Sequence, residues 1–163
     1  MGPLISLIDD HREYSRLLSD LEQSYRELKE GEITALQNIK KSLYLLRLEM
    51  ELHFSREEYI LFSNIDHPII TQLKQEHGVM RNKFLSIDAA IITIIDEEGH
   101  KDMEKIIELK ELITDFRSLK GSHVMKEEDI LFPYAKETLS SKDMAAIQNR
   151  FREFESIAAA NLL

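Results

Sequence analysis

The stretch HFSREEYILF at residues 53–62 returns as HVMKEEDILF at residues 123–132. Each copy carries a histidine and a glutamate four residues apart, His53 with Glu57 and His123 with Glu127. On an α-helix that spacing sets the two side chains about 40° apart, so each copy offers an imidazole nitrogen and a carboxylate oxygen from one face. Such a pair is either half of a metal site or a histidine satisfied by its own carboxylate in a polar core. His11 and His77 extend the set to four imidazoles and two carboxylates. That exceeds what one zinc ion takes, and with no cysteine in the chain the donors are nitrogen and oxygen alone, which suit iron or manganese. Two metals, each with two histidines, sharing both carboxylates and an oxo or hydroxo group as bridges, would use every donor. One position on each ion would stay open for an exogenous ligand.

Helices are the elements that must position these residues. Three prolines and five glycines interrupt 163 residues. The punctuation at KEGE around Gly31, NIDHP before Pro68, EEGHK around Gly99 and TLSSKD at 138–143 divides the chain into four long segments and a shorter fifth. Apolar residues recur at spacings of three and four in each, a helical and not an alternating period. The fold class predicted is all-α: one domain over residues 1–163, with an up-down-up-down four-helix bundle over about 3–136 and a C-terminal helix over about 140–162.

The buried stripes run through Leu7, His11, Tyr14 and Leu18, then Met50, His53, Glu57 and Ile60, then Leu73, His77, Met80 and Phe84. The fourth runs through Phe116, Lys120, His123, Glu127 and Ile130, with Leu119 the expected replacement for Lys120. Six polar groups therefore fall on faces that should be buried, where without partners they would cost on the order of several kcal/mol. Taking turns at Gly31, Asp66 and Gly99, His11 and His53 lie 20 and 22 residues from the first, His53 and His77 13 and 11 from the second, and His77 and His123 22 and 24 from the third. Each mismatch amounts to about 3 Å of helix rise, so the four histidines share one level. His67, at the second turn, and His100, near the third, fall outside that level and are expected to be solvated loop residues.

Further residues are candidates for supporting roles. Tyr14, three residues after His11, could line the pocket as a hydrogen-bond donor. Glu49, one turn before His53, could orient an imidazole or accept a proton. Glu58 and Glu128 lie about 140° around the helix from their histidines, as surface groups or supports beside the ligands. Leu7, Leu46, Met50, Leu73, Met80, Phe116 and Leu119 lie within a turn or so of the six and make an apolar shell suited to small uncharged ligands. Gly78 and Gly121, each costing about 1 kcal/mol against alanine in a helix, are read as giving close packing or room near the metals.

Several function classes are excluded by the same reading. A net charge of −9 with no cluster of Lys and Arg argues against nucleic acid or an anionic membrane surface as partner. The longest apolar run, AAIITII, is too short to span a bilayer. The start MGPLISLIDDH lacks the basic region of a signal peptide, so a cytoplasmic location is expected. A ferritin-like centre needs ExxH pairs on two helices, and the chain has one, Glu97 to His100, in a predicted loop.

The order His11, His53-x-x-x-Glu57, His77, His123-x-x-x-Glu127, with its EExILF flanks, resembles the hemerythrin-like HHE cation-binding domains over residues 3 to about 136. The resemblance implies a four-helix bundle holding two non-haem iron ions, oxo- or hydroxo-bridged, with His11, His53, Glu57, His77, His123 and Glu127 as ligands. The donor set also admits manganese or zinc. Oxygen-carrying members have a further histidine where Leu73 stands, and an aspartate five residues after the fourth-helix histidine, where Glu128 stands. Simple reversible oxygen carriage is therefore not expected. What the resemblance implies is binding or sensing of a small ligand such as dioxygen, nitric oxide or peroxide, with no catalytic residue assigned. A di-iron oxidase, peroxidase or nitric-oxide-processing enzyme and a metal-stabilised structural bundle are the alternatives. A protein partner, and the choice between monomer and homodimer, stay open.

In the fifth segment Ser140 or Ser141 is the expected N-cap, with Asp143 in the first turn. Met144, Ile147, Phe151, Phe154 and Ala158 form one apolar stripe, expected to pack back on the bundle and cover Ile92, Ile95 and Ile107.

Overall fold

Helix α1 spans Pro3–Lys29, α2 Thr34–Arg56, α3 Ile69–Asp96 and α4 Met103–Lys126. The structure, a computed structural model, describes residues 2–29, 34–96 and 102–161; the expected turns at Gly31 and Gly99, and Glu97 with His100, lie outside the described residues. Neither α2 nor α4 stops where its regular part ends. Both run on into a five-residue π turn, Glu57–Leu61 and Glu127–Leu131. After it α2 finishes in a short 3-10 turn, Phe62–Asn64, while α4 continues as α5, Phe132–Thr138, before α6, Ser141–Asn161. There is no strand among the described residues. The chain is the expected all-α bundle with one further helix.

Local chemistry sets the helix starts. The Gly2 carbonyl accepts from Ile5 and Ser6 at 3.1 and 3.2 Å, and Pro3 occupies the first helical position, where a missing N–H costs nothing. Asp102 caps α4 by accepting from the Glu104 N–H at 3.0 Å. At α6 the Asp143 N–H donates to Ser140 Oγ at 3.2 Å and the Ser140 N–H donates to Asp143 Oδ2 at 3.1 Å, a reciprocal capping pair.

The π turns are the structural counterpart of the repeated sequence. In both, an i to i−5 bond closes the turn, from the Phe62 N–H to the Glu57 carbonyl and from the Phe132 N–H to the Glu127 carbonyl. Pro133 follows only the second copy, so the shared sequence and not the proline is common to both turns. Leu61 and Leu131 are fully buried in both turns, but the equivalent isoleucines differ: Ile60, on the turn that α6 packs against, is 4% exposed, whereas Ile130, expected inside, is 44% exposed. A second departure is Lys120, which keeps the buried stripe position at 3% exposure while Leu119 is only partly buried.

The apolar interior falls into two clusters. One holds Tyr14, Leu18, Met50, Phe54, Met80, Phe84 and Phe116 with the remainder of the long helices. The other holds Leu4, Leu7, Ile60, Leu61, Phe62, Leu73, Leu131 and Phe132 together with Ile147 and Phe151 of α6. His11 lies in sequence between Leu7 of the second cluster and Tyr14 of the first, and His77 between Leu73 and Met80.

Helix α6 packs back on the bundle as expected, but at the other end. Its Ile147 and Phe151 are buried against the second cluster, and Ile92, Ile95 and Ile107 stay 54%, 42% and 49% exposed. The two-residue link from α5 starts α6 beside the π turns, where it crosses α1 and α2. Phe151→Ala should therefore lower stability by about 3–5 kcal/mol in chemical denaturation, as for a fully buried aromatic. Ile157→Ala, at a residue 63% exposed, should stay within about 0.5 kcal/mol.

Candidate metal centre

His53, Glu57, His77, His123 and Glu127 are fully buried, and His11 is 5% exposed. Their Nε2 and Oε atoms converge. Glu57 Oε2 lies 3.3 Å from both His53 Nε2 and His77 Nε2. Glu127 does the same on the other side, with Oε2 3.1 Å from His11 Nε2 and Oε1 2.6 Å from His123 Nε2. Two groups of donors result: Glu57, His77, His123 and Glu127 in one, and His11, His53 and Glu127 in the other, with the atoms of each within 4.8 Å of one another. Each carboxylate thus spans one histidine from each group.

The donor atoms have little else to bond. His11 Nε2, His53 Nε2 and both oxygens of Glu57 and Glu127 are buried without a well-formed hydrogen bond. Unsatisfied atoms of this kind are rare in folded proteins, and several pointing at a common space fit a metal site. Burial and the charge of Glu127 push the Glu57 carboxyl up, but the charge of His53 and the close approach of the His53 and His77 imidazoles outweigh them and hold it at about 2. Glu127 is likewise held well below the usual range, burial being overcome by His123 and His11. His53 is raised: burial pulls it down, and the charge of the nearby Glu57 carboxylate with the Asp10 hydrogen bond more than restores it.

On the outward side every imidazole is held by a second carboxylate at Nδ1. His11 meets Glu128 at 2.6 Å, His53 Asp10 at 2.9 Å, His77 Glu58 at 2.7 Å and His123 Glu76 at 2.9 Å. The bond fixes each ring and directs its Nε2 inward. Cations stand behind three of the four. Arg56, itself 6% exposed, bonds Asp10 and reaches Glu155 of α6 at 2.6 Å. Lys126 bonds Glu76 at 2.7 Å, and Arg81 bonds Glu58 at 3.1 Å and Glu51 at 3.0 Å. Phenylalanines cover ring faces: Phe54 and Phe62 stack on His77 at 3.8 and 5.9 Å, and Phe132 on His11 at 6.0 Å.

Glu58 and Glu128 thus support histidines of other helices. Glu49 does not orient an imidazole: its backbone carbonyl accepts from Tyr14 Oη at 3.1 Å, and its carboxyl is raised by burial, Asp10 and Glu13. That bond spends the Tyr14 hydroxyl on the backbone, so Tyr14 meets the site with its ring, edge-on to His53 at 5.3 Å. His67 lies in the loop as expected, half-buried, and accepts from the Ile69 N–H at 3.2 Å. Added Cβ atoms at Gly78 and Gly121 would meet nothing within 4 Å, which removes close packing as their reason. Asp10 and Glu76 were not among the residues expected, although each directly precedes a site histidine.

Residues 3–155 match the family model for the hemerythrin HHE cation binding domain, a span that includes most of α6. No curated protein and no solved structure matches the chain.

Glu57→Ala or Glu127→Ala should abolish tight metal binding, measured as metal retained per chain after dialysis against a weak chelator. Asp10→Ala, Glu76→Ala, Glu58→Ala or Glu128→Ala should keep the site and weaken it by about 10- to 100-fold. Equal losses across all six would contradict the division between inward and outward carboxylates.

Proposed function

We propose a function from one premise: the chain belongs to the hemerythrin HHE cation-binding family. Its centre holds two non-haem iron ions through His11, His53, Glu57, His77, His123 and Glu127, and binds or senses dioxygen, nitric oxide or peroxide. The observation that carries this reading is that Glu57 and Glu127 each span two imidazoles belonging to different donor groups. A single ion would leave one of those groups buried and unsatisfied. When bound, the metal pair supplies redox chemistry and positions at which a small ligand can attach.

The chain's own residues define what such a ligand meets. Leu73, where a further donor would stand one turn before His77, is fully buried and supplies none, so α3 contributes one imidazole. Leu7, Met50 and Met80 are buried within a turn or so of the six, an apolar setting that favours small neutral molecules over polar substrates. Each imidazole is tied at Nδ1, so the ligand set is rigid before any metal arrives, and little ordering entropy is spent on binding.

We take the protein as a single hemerythrin-like domain acting in the cytoplasm; no helix among the described residues is long and apolar enough to cross a membrane. Anaerobic reduction of the iron-loaded protein followed by addition of nitric oxide should give a saturable, reversible absorbance change at a fixed stoichiometry per chain. Sustained consumption of nitric oxide, dioxygen or peroxide over many equivalents would make the centre an enzyme. No spectral response to any of them would leave it structural.

A further inference from the structure

The two halves of the chain correspond at fixed offsets, 66 residues from α1 to α3, as from His11 to His77, and 70 from α2 to α4, as from His53 to His123. The interactions of the centre obey that relation. Asp10 on His53 matches Glu76 on His123, Glu58 on His77 matches Glu128 on His11, and Phe62 on His77 matches Phe132 on His11.

The groove between α1 and α4 breaks it. Between α2 and α3, Arg81 bonds Glu51 at 3.0 Å and Phe54 stacks on His77 at 3.8 Å, which closes the approach to that imidazole. The equivalents of Arg81, Glu51 and Phe54 beside His11 are Ser15, Gly121 and Val124. All three are small. They line a cavity of about 350 Å³ that also reaches His11, Lys120 and Glu128. A Cβ at Gly121 would meet nothing within 4 Å, so packing does not require glycine there, and its effect is to keep the cavity clear.

The same groove holds an unmatched charge. The equivalent of Lys120 is Met50, yet Lys120 is 3% exposed and its Nζ has no hydrogen-bond partner among the described residues. Its nearest aromatic face is Tyr14, with Nζ 4.7 Å from the ring centroid. The charges of Glu127, Glu57, Asp10 and Glu128 attract it through space without bonding it, and a buried ammonium with three unused donors is costly enough that a hydrogen-bonding partner is expected. Glu128 lines the cavity, but its Oε1 is taken by His11 at 2.6 Å. Arg12 and Arg117 also line the cavity, but each is ion-paired, with Asp9 and Glu22, which leaves Lys120 as the lining cation without a bonded partner among the described residues.

We propose that this cavity binds a small inorganic monoanion, held by the Lys120 ammonium on the His11 side of the metal centre. The inference rests on the metal centre proposed above and adds to it a route and a charge preference. Neutral ligands pass through the same opening without needing Lys120, whereas anions depend on it.

Azide is the probe, titrated into iron-loaded wild-type and Lys120→Met protein after the metal content of both has been measured. Methionine already occupies the equivalent place at position 50. The variant should keep its iron, bind azide at least about tenfold more weakly, and bind nitric oxide within about threefold of wild type, as expected on losing one charge-assisted hydrogen bond. An azide affinity changed less than that, in a variant that keeps its iron, overturns the proposal. A second variant decides the matter even where Lys120→Met does not fold: Ser15→Arg with Gly121→Glu rebuilds the closing pair of the opposite groove and retains Lys120. It should slow azide association by at least about tenfold, since the cavity is the route; an unchanged rate overturns the proposal equally. Wild-type protein that takes up no metal would instead contradict the centre itself.

Discussion

Four imidazoles and two carboxylates occupy one layer of the bundle with apolar side chains packed above and below, and the cost of that layer governs the rest of the molecule. Groups of this kind are stable in an interior only when each polar atom has a partner. Helical periodicity brings the six to one level, and a π turn begins at the glutamate of each repeat. Glu57 and Glu127 then meet imidazoles on two helices each. Their inward atoms lack well-formed bonds, an arrangement that fits a metal site, as befits a member of a cation-binding family.

From that layer the polar structure spreads outward in columns. Imidazole Nδ1 bonds carboxylate, and carboxylate bonds cation, at Asp10 with Arg56, Glu76 with Lys126 and Glu58 with Arg81. The Arg56 column continues into Glu155, which ties the position of His53 to the packing of α6. The C-terminal helix is therefore a floor beneath the site, not a cover for the distant end of the bundle. Only the His11 column ends without a lysine or arginine ion pair on its carboxylate among the described residues, and it ends at the open groove.

Much of this was legible in the sequence. Counting residues from the turns placed His11, His53, His77 and His123 at one height because antiparallel helices with short links run in register. The repeat identified Glu57 and Glu127, since i and i+4 share a face. Asp10 and Glu76 were not legible: each sits beside a histidine in sequence but supports a histidine on a neighbouring helix, which depends on the relative rotation of the two. Ile60 and Ile130 occupy equivalent places in the two π turns, and α6 packs against the first turn, so Ile130 stays exposed for a reason that periodicity cannot anticipate. For Lys120 the spacing pointed inward and polarity pointed outward, and spacing prevailed. The docking of α6 depended on where its short link released it, which the apolar stripe alone does not specify.

The proposed centre holds two metal ions shared between Glu57 and Glu127. Protein produced in iron-supplied cells, purified without added metal and analysed for metal and protein together, tests it most directly. Two iron atoms per chain is the result predicted; one zinc atom per chain, with the remaining donors satisfied by protons alone, would contradict it.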